Sequence, residues 1–180
     1  AVPSAEPSIR THVFVRHDDT RETLFLLGNP SNRTVDLVFM FRDAEGRESR
    51  TAEVSLAAGG QRRISTDELL RVGEALEGLM SVDSSGPVTV NALAVVRNAR
   101  REQILSAAPR ILDTERPTST PIVVPRVLNG AGYRTRILLM NPSDQTLEGR
   151  IEFFAPSGES VLTPTVSYEV PAWGVYEYVS

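Results

Sequence analysis

Thr23–Leu56 reads TLFLLGNPSNRTVDLVFMFRDAEGRESRTAEVSL, and Thr135–Tyr168 reads TRILLMNPSDQTLEGRIEFFAPSGESVLTPTVSY. Laid over one another without a gap, the two stretches match at Thr23 and Thr135, at Leu26–Leu27 and Leu138–Leu139, and at Asn29–Pro30–Ser31 and Asn141–Pro142–Ser143. Thr34, Phe41, Gly46 and Val54 recur as Thr146, Phe153, Gly158 and Val166. So many identities at one fixed offset mark an internal duplication, and a repeat decides the architecture before any single element does.

Each copy reads as antiparallel strands joined by tight turns. Asn-Pro-Ser ends the first strand, because proline lacks an N–H and asparagine favours a local side-chain turn. The next strand alternates, with Leu147, Ile151 and Phe153 on one face and Glu148, Arg150 and Glu152 on the other. Asp43–Ala44–Glu45–Gly46 and Pro156–Ser157–Gly158 supply hairpin loops. The returning strands put Ala52, Val54 and Leu56, or Val166, Tyr168 and Val170, on the inner face. Stacked antiparallel sheets follow.

Outward from the first copy, Ser65–Thr66–Asp67–Glu68 is a capping-box pattern that predicts a helical turn over Asp67–Val72. Strands are expected over Gly78–Val82, Val88–Val96 and Gln103–Ala107, with Ser84–Ser85–Gly86–Pro87 as a turn. The expected fold is all-β, two tandem immunoglobulin-like antiparallel β-sandwich units. It comprises an extended arm (residues 1–8), a complete unit (9–112), a linker (113–120) and a second unit (121–180) that stops early, since Ser180 aligns with Glu68.

The stretch Asn129–Gly130–Ala131–Gly132–Tyr133–Arg134–Thr135–Arg136–Ile137–Leu138–Leu139–Met140–Asn141–Pro142–Ser143, with Phe153–Phe154 and Gly158 after it, resembles a recurrent bacterial module. That module has a GGGYxTxLxLxNPS strand, a FFxxxG hairpin and a P-x-G strand start, from which Pro171–Ala172–Trp173 departs at the third place. The resemblance covers most of residues 121–176 and, more weakly, 13–65, where His17–Asp18–Asp19 replaces the glycines. It implies β-sandwich repeats of exported, often surface-associated bacterial proteins with no settled activity, and it transfers no catalytic residue.

Composition narrows the chemistry. The chain of 180 residues has no cysteine, so disulfides, thiolate metal sites and cysteine nucleophiles are excluded. All 19 basic residues are arginine, which rules out a Schiff-base lysine, a P-loop lysine and a Lys–Asn cross-link. A net charge of −4 offers no electrostatic footprint for nucleic acid, and no apolar run is long enough to span a bilayer. Ala1–Val2–Pro3–Ser4–Ala5 has the small, polar character of a mature N-terminus after signal-peptide removal, which predicts a secreted or cell-surface protein.

Catalytic and cofactor patterns are missing. His12 and His17 point to opposite faces of one strand, too far apart to share an ion. No G-x-S-x-G elbow accompanies them. Glu45, Glu48, Glu152 and Glu159 fall on turns or outward faces and indicate no glycosidase pair. His17–Asp18–Asp19 reads as a solvated turn rather than a hard-cation site, and Asp43–Glu45–Gly46 lacks the carboxylates of a calcium cage. Gly59–Gly60 and Gly130–Ala131–Gly132 lack the lysine and helix of a phosphate loop. Asn32–Arg33–Thr34 is a formal glycosylation sequon. The expectation is a non-enzymatic protein with no cofactor and no metal.

Function is therefore sought in association. Val38 and Met40 stand where the second copy has Arg150 and Glu152, which makes both faces of the first-copy strand apolar. They are covered either by the chain's own later segments or by an interface. The arm, with Val2, Pro3 and Pro7, leads into Ile9, which begins a strand able to pair at home or on a neighbour. Trp173, Tyr176 and Tyr178 lie on the incomplete unit. These nine residues form the candidate assembly interface of a homopolymer built by strand addition. The alternative is an adhesin-like or glycan-binding module using Trp173, Tyr133 and Tyr176 as an aromatic platform.

Overall fold

In the computed structural model, residues 6–71, 73–97, 103–112, 124, 127, 129–130, 133–155 and 165–180 are described, and they are all-β save for one helical turn. In chain order the elements are β1 (Ser8–His17), β2 (Arg21–Gly28), β3 (Val35–Asp43), β4 (Glu48–Leu56), β5 (Gln61–Ser65), α1 (Thr66–Leu70), β6 (Leu76–Arg97), β7 (Gln103–Ala107) and β8 (Arg110–Leu112). They continue with β9 (Asn129–Gly130), β10 (Tyr133–Arg134), β11 (Arg136–Met140), β12 (Leu147–Ile151), β13 (Val166–Val170) and β14 (Val175–Val179).

The N-terminal half is organised by β6, a strand of 22 residues that belongs to two layers. Its first part pairs antiparallel with β1 and β3, in the order β4-β3-β6-β1-β8; its second part pairs with β2 and β7, while β2 also pairs with β5. Phe25 of β2 meets Phe39 of β3 edge to face at 5.5 Å, which sets the two layers against each other around a core of Val13, Val15, Leu37, Met80, Val82, Val88 and Val90.

The turn expected at Ser84–Ser85–Gly86–Pro87 is instead a corner within β6. Met80 and Val82 before it, and Val88, Val90 and Ala92 after it, all enter the same core, so the pleat continues through the bend. Pro87 sits where the ladder partner changes from β3 to β2, a place that tolerates a missing N–H. The helical turn begins one residue earlier than expected, with both capping-box bonds formed between Ser65 and Glu68, and ends at Arg71 in the left-handed region.

A second correction concerns the repeat. Val35 pairs with Leu56 in the first copy, and Leu147 pairs with Val170 in the second. Beyond the β12–β13 hairpin the copies are therefore offset by two further residues: Val54 corresponds to Tyr168 rather than Val166, and Leu56 to Val170. The ungapped alignment misses this because a slip of two keeps every side chain on its own face of the pleat.

Candidate functional site

Asn29 and Asn141, from the Asn-Pro-Ser motif, are 2 % and 0 % exposed and make the same set of bonds. The Asn29 Nδ2 donates to the backbone oxygens of Arg33 (2.7 Å), Leu56 (3.1 Å) and Ala57 (2.9 Å), while its Oδ1 accepts from the Ser31 amide and hydroxyl. The Asn141 Nδ2 donates to Gln145 (2.7 Å), Val170 (3.2 Å) and Pro171 (2.9 Å), and its Oδ1 accepts from Ser143 in the same way. Each asparagine ties the end of one strand to the turn that leaves the third strand of its motif, β4 or β13. It is a buried clamp, more than the local turn former read from sequence.

The turn after the third strand is where the copies diverge in use. In the first copy it carries Gly59 at φ 65°, whose amide donates to Ser31 O. In the second the corresponding residue is Trp173, at φ 59° with its amide donating to Ser143 O. A tryptophan in the left-handed region is strained by about 1–2 kcal/mol. What holds it is the N-terminal half: the Arg42 guanidinium lies 4.9 Å from the Trp173 ring centre and the His12 ring 6.0 Å. Around this anchor the Val175 amide donates to Ala44 O at 3.0 Å, Arg136 pairs with Glu77 at 3.5 Å, and Phe14, Leu79 and Val175 form a small apolar cluster joined by Leu138 and Met140. One face of β11 and β14 is thus docked on the outer face of β1, β3 and β6.

The opposite face looks inward to β12 and β13, with Tyr176 against Tyr168 (5.8 Å) and Tyr178 against Phe153 (5.6 Å). Gly149 opens space that the Tyr168 ring fills, where the first copy places Leu37 opposite Val54. The first-copy residues Phe25, Leu27, Leu37 and Phe39 are 0–3 % exposed, yet their counterparts Ile137, Leu139, Gly149 and Ile151 are only half-buried. Only the clamp end is closed, at Val170 and Asn141. The difference is β6. It lies beside both β2 and β3, whereas β11 pairs only with β14 and β12 only with β13 among the described residues. Among the described residues both strands therefore turn an unpaired edge to the same side, with a half-covered apolar interior between those edges.

The candidate interface residues are dispersed. Val2 and Pro3 lie outside the described residues; Pro7 is exposed, and Ile9 is 56 % exposed at the start of β1. Strand β1 pairs at home, with β6 and β8. Val38 is 37 % exposed and Met40 half-buried. Trp173 serves the contact between the halves, and Tyr176 and Tyr178 line the open interior. Sequence reasoning missed Ile137, Leu139, Ile151 and Phe153 as site residues; their signal was the apolar match to a buried first-copy set. The side chain of Tyr133 lies outside the described residues.

Turn chemistry accounts for the acidic clusters. The Asp18 carboxylate accepts from Thr20 and from Arg21, and the Asp43 carboxylate from the amides of Glu45 and Arg47 and from the Arg47 guanidinium. No group of three or more His, Asp or Glu side chains among the described residues is placed to hold a metal ion, and no helix among them is long and apolar enough to cross a membrane. The chain matches no family model, no curated protein and no solved structure.

Proposed function

We propose that this chain is a non-enzymatic structural subunit of an extracellular fibre or surface assembly, joined to its neighbours by completion of the second motif with a β-strand supplied from outside it. The carrying observation is the pair of edges on β11 and β12 that are unpaired among the described residues, beside an interior whose first-copy counterpart is fully buried. A free edge offers a ladder of unmet backbone donors and acceptors, and a half-open interior offers pockets for alternate side chains. A contact between two different surfaces of identical chains propagates into a filament when it does not close on itself. Export is supported by the resemblance to surface-associated modules. The glycan-binding alternative is less favoured, since Trp173 is occupied by Arg42 and Tyr176 packs on Tyr168.

Negative-stain electron microscopy with light scattering across a concentration series tests this reading. Regular fibres are expected. A monodisperse monomer of 19.7 kDa at every concentration would overturn it.

A further inference from the structure

Resting on that reading, the structure carries one step further, to the chemistry of what fills the gap. We infer that the open side of the second motif is a slot for a single extended polypeptide strand of the β6 type, running antiparallel to both β11 and β12 and presenting small or medium apolar side chains at every second position.

The first copy supplies the template. There β6 sets Ala92 opposite Phe25 and Val90 opposite Leu27, then bends and sets Val82 opposite Phe39 and Met80 opposite Phe41. By strand equivalence these places face Ile137, Leu139, Ile151 and Phe153. The backbone groups are ready as well. Asn141 N–H and Thr135 C=O are turned toward β14, so by alternation the amides and carbonyls of Arg136, Leu138 and Met140 point to the other edge. Their first-copy counterparts, Leu24, Leu26 and Gly28, pair with Leu93, Asn91 and Thr89 of β6. A glycan or an amphipathic helix would leave this ladder unmet, whereas a strand satisfies the ladder and the apolar pockets together.

The probe is a synthetic peptide of residues Pro87–Arg97, PVTVNALAVVR, added to the whole chain, with amide hydrogen exchange read by NMR. Two control peptides have the same composition scrambled, or carry N91P and L93P, which remove ladder N–H groups while keeping Val90 and Ala92. The expected result is slowing of exchange at Leu138 and Met140 by at least about tenfold with the native peptide and with neither control. Equal slowing by the proline peptide, no slowing by any peptide, or full protection of both amides in the dilute chain without peptide would each overturn the strand slot. Fibres from the chain together with no peptide effect would sink this inference and leave the assembly reading standing. Protection by the peptide in a chain that never assembles would do the reverse.

Discussion

Asn29 and Asn141 show how much a short motif can hold. Each is buried and anchors three carbonyl oxygens, two of which lie 27–30 residues further along the chain. Local reading of Asn-Pro-Ser finds the turn but not the clamp, because the distant acceptors become neighbours only when the third strand returns. Asn29→Ala leaves the buried Leu56 carbonyl and the part-buried Arg33 and Ala57 carbonyls without this donor and is expected to lower stability by about 2–4 kcal/mol in urea unfolding. Asn141→Ala removes the same bonds from a more open motif and is expected to cost less. Asp18 gives a pH signature. Burial pulls its pKa upward, but hydrogen bonds from the Thr20 hydroxyl and amide and the charge of Arg21 outweigh it and hold the carboxyl at about 2. Its folded-state pKa is below the unfolded value near 4, so its stabilising contribution is complete above pH ~4 and fades as pH falls toward 2. Asp18→Asn is expected to flatten the fall in stability between pH 4 and 2; an unchanged acid limb would contradict the assignment.

At the scale of elements, two turns meet in the contact between the halves. Gly46, at φ 83° in the β3–β4 hairpin, has no room for a side chain: an added Cβ would lie 1.9 Å from Ala172 O, in the turn that carries Trp173. Gly59 shares the left-handed conformation at φ 65° but has open space around it. Gly59→Ala is therefore expected to cost only the backbone term, about 1 kcal/mol. Gly46→Ala should also force the halves apart. Trp173 is the only tryptophan, so its fluorescence reports the contact directly; a red shift is expected for Gly46→Ala and none for Gly59→Ala. Strand β7 falls on Gln103–Ala107, as its apolar run predicts. Strand β6 was legible only as two pieces, because Gly86–Pro87 has the composition of a turn and only the continuous parity of Met80 through Ala92 reveals a corner. The use of Trp173 was not legible either, since its partners Arg42 and His12 lie in the other half of the chain.

Across the whole molecule, the all-β antiparallel architecture was readable from alternation and from the repeat, because strand periodicity survives in a single sequence. The open side of the second motif was readable only in outline. Recognising it as a slot required the first copy in three dimensions, with one strand serving two layers. The same duplication that made the fold legible thus becomes the measure of what the second copy lacks: equal strands, equal clamps, and no counterpart of β6 among the described residues. Strand β7, which pairs only with β6 among the described residues, exposes Ile104 (59 %) and Leu105 (57 %) on the N-terminal half. In the proposed assembly, β11 and β12 take a strand from outside their own motif. The most direct test is residue-resolved hydrogen exchange on the chain, first dilute and then under assembling conditions, comparing Leu138 and Met140 with Leu26 and Gly28. Exchange at least about 100-fold faster is expected in the second copy when dilute, with protection rising toward first-copy levels on assembly. Equal protection of the two copies at every concentration would contradict it.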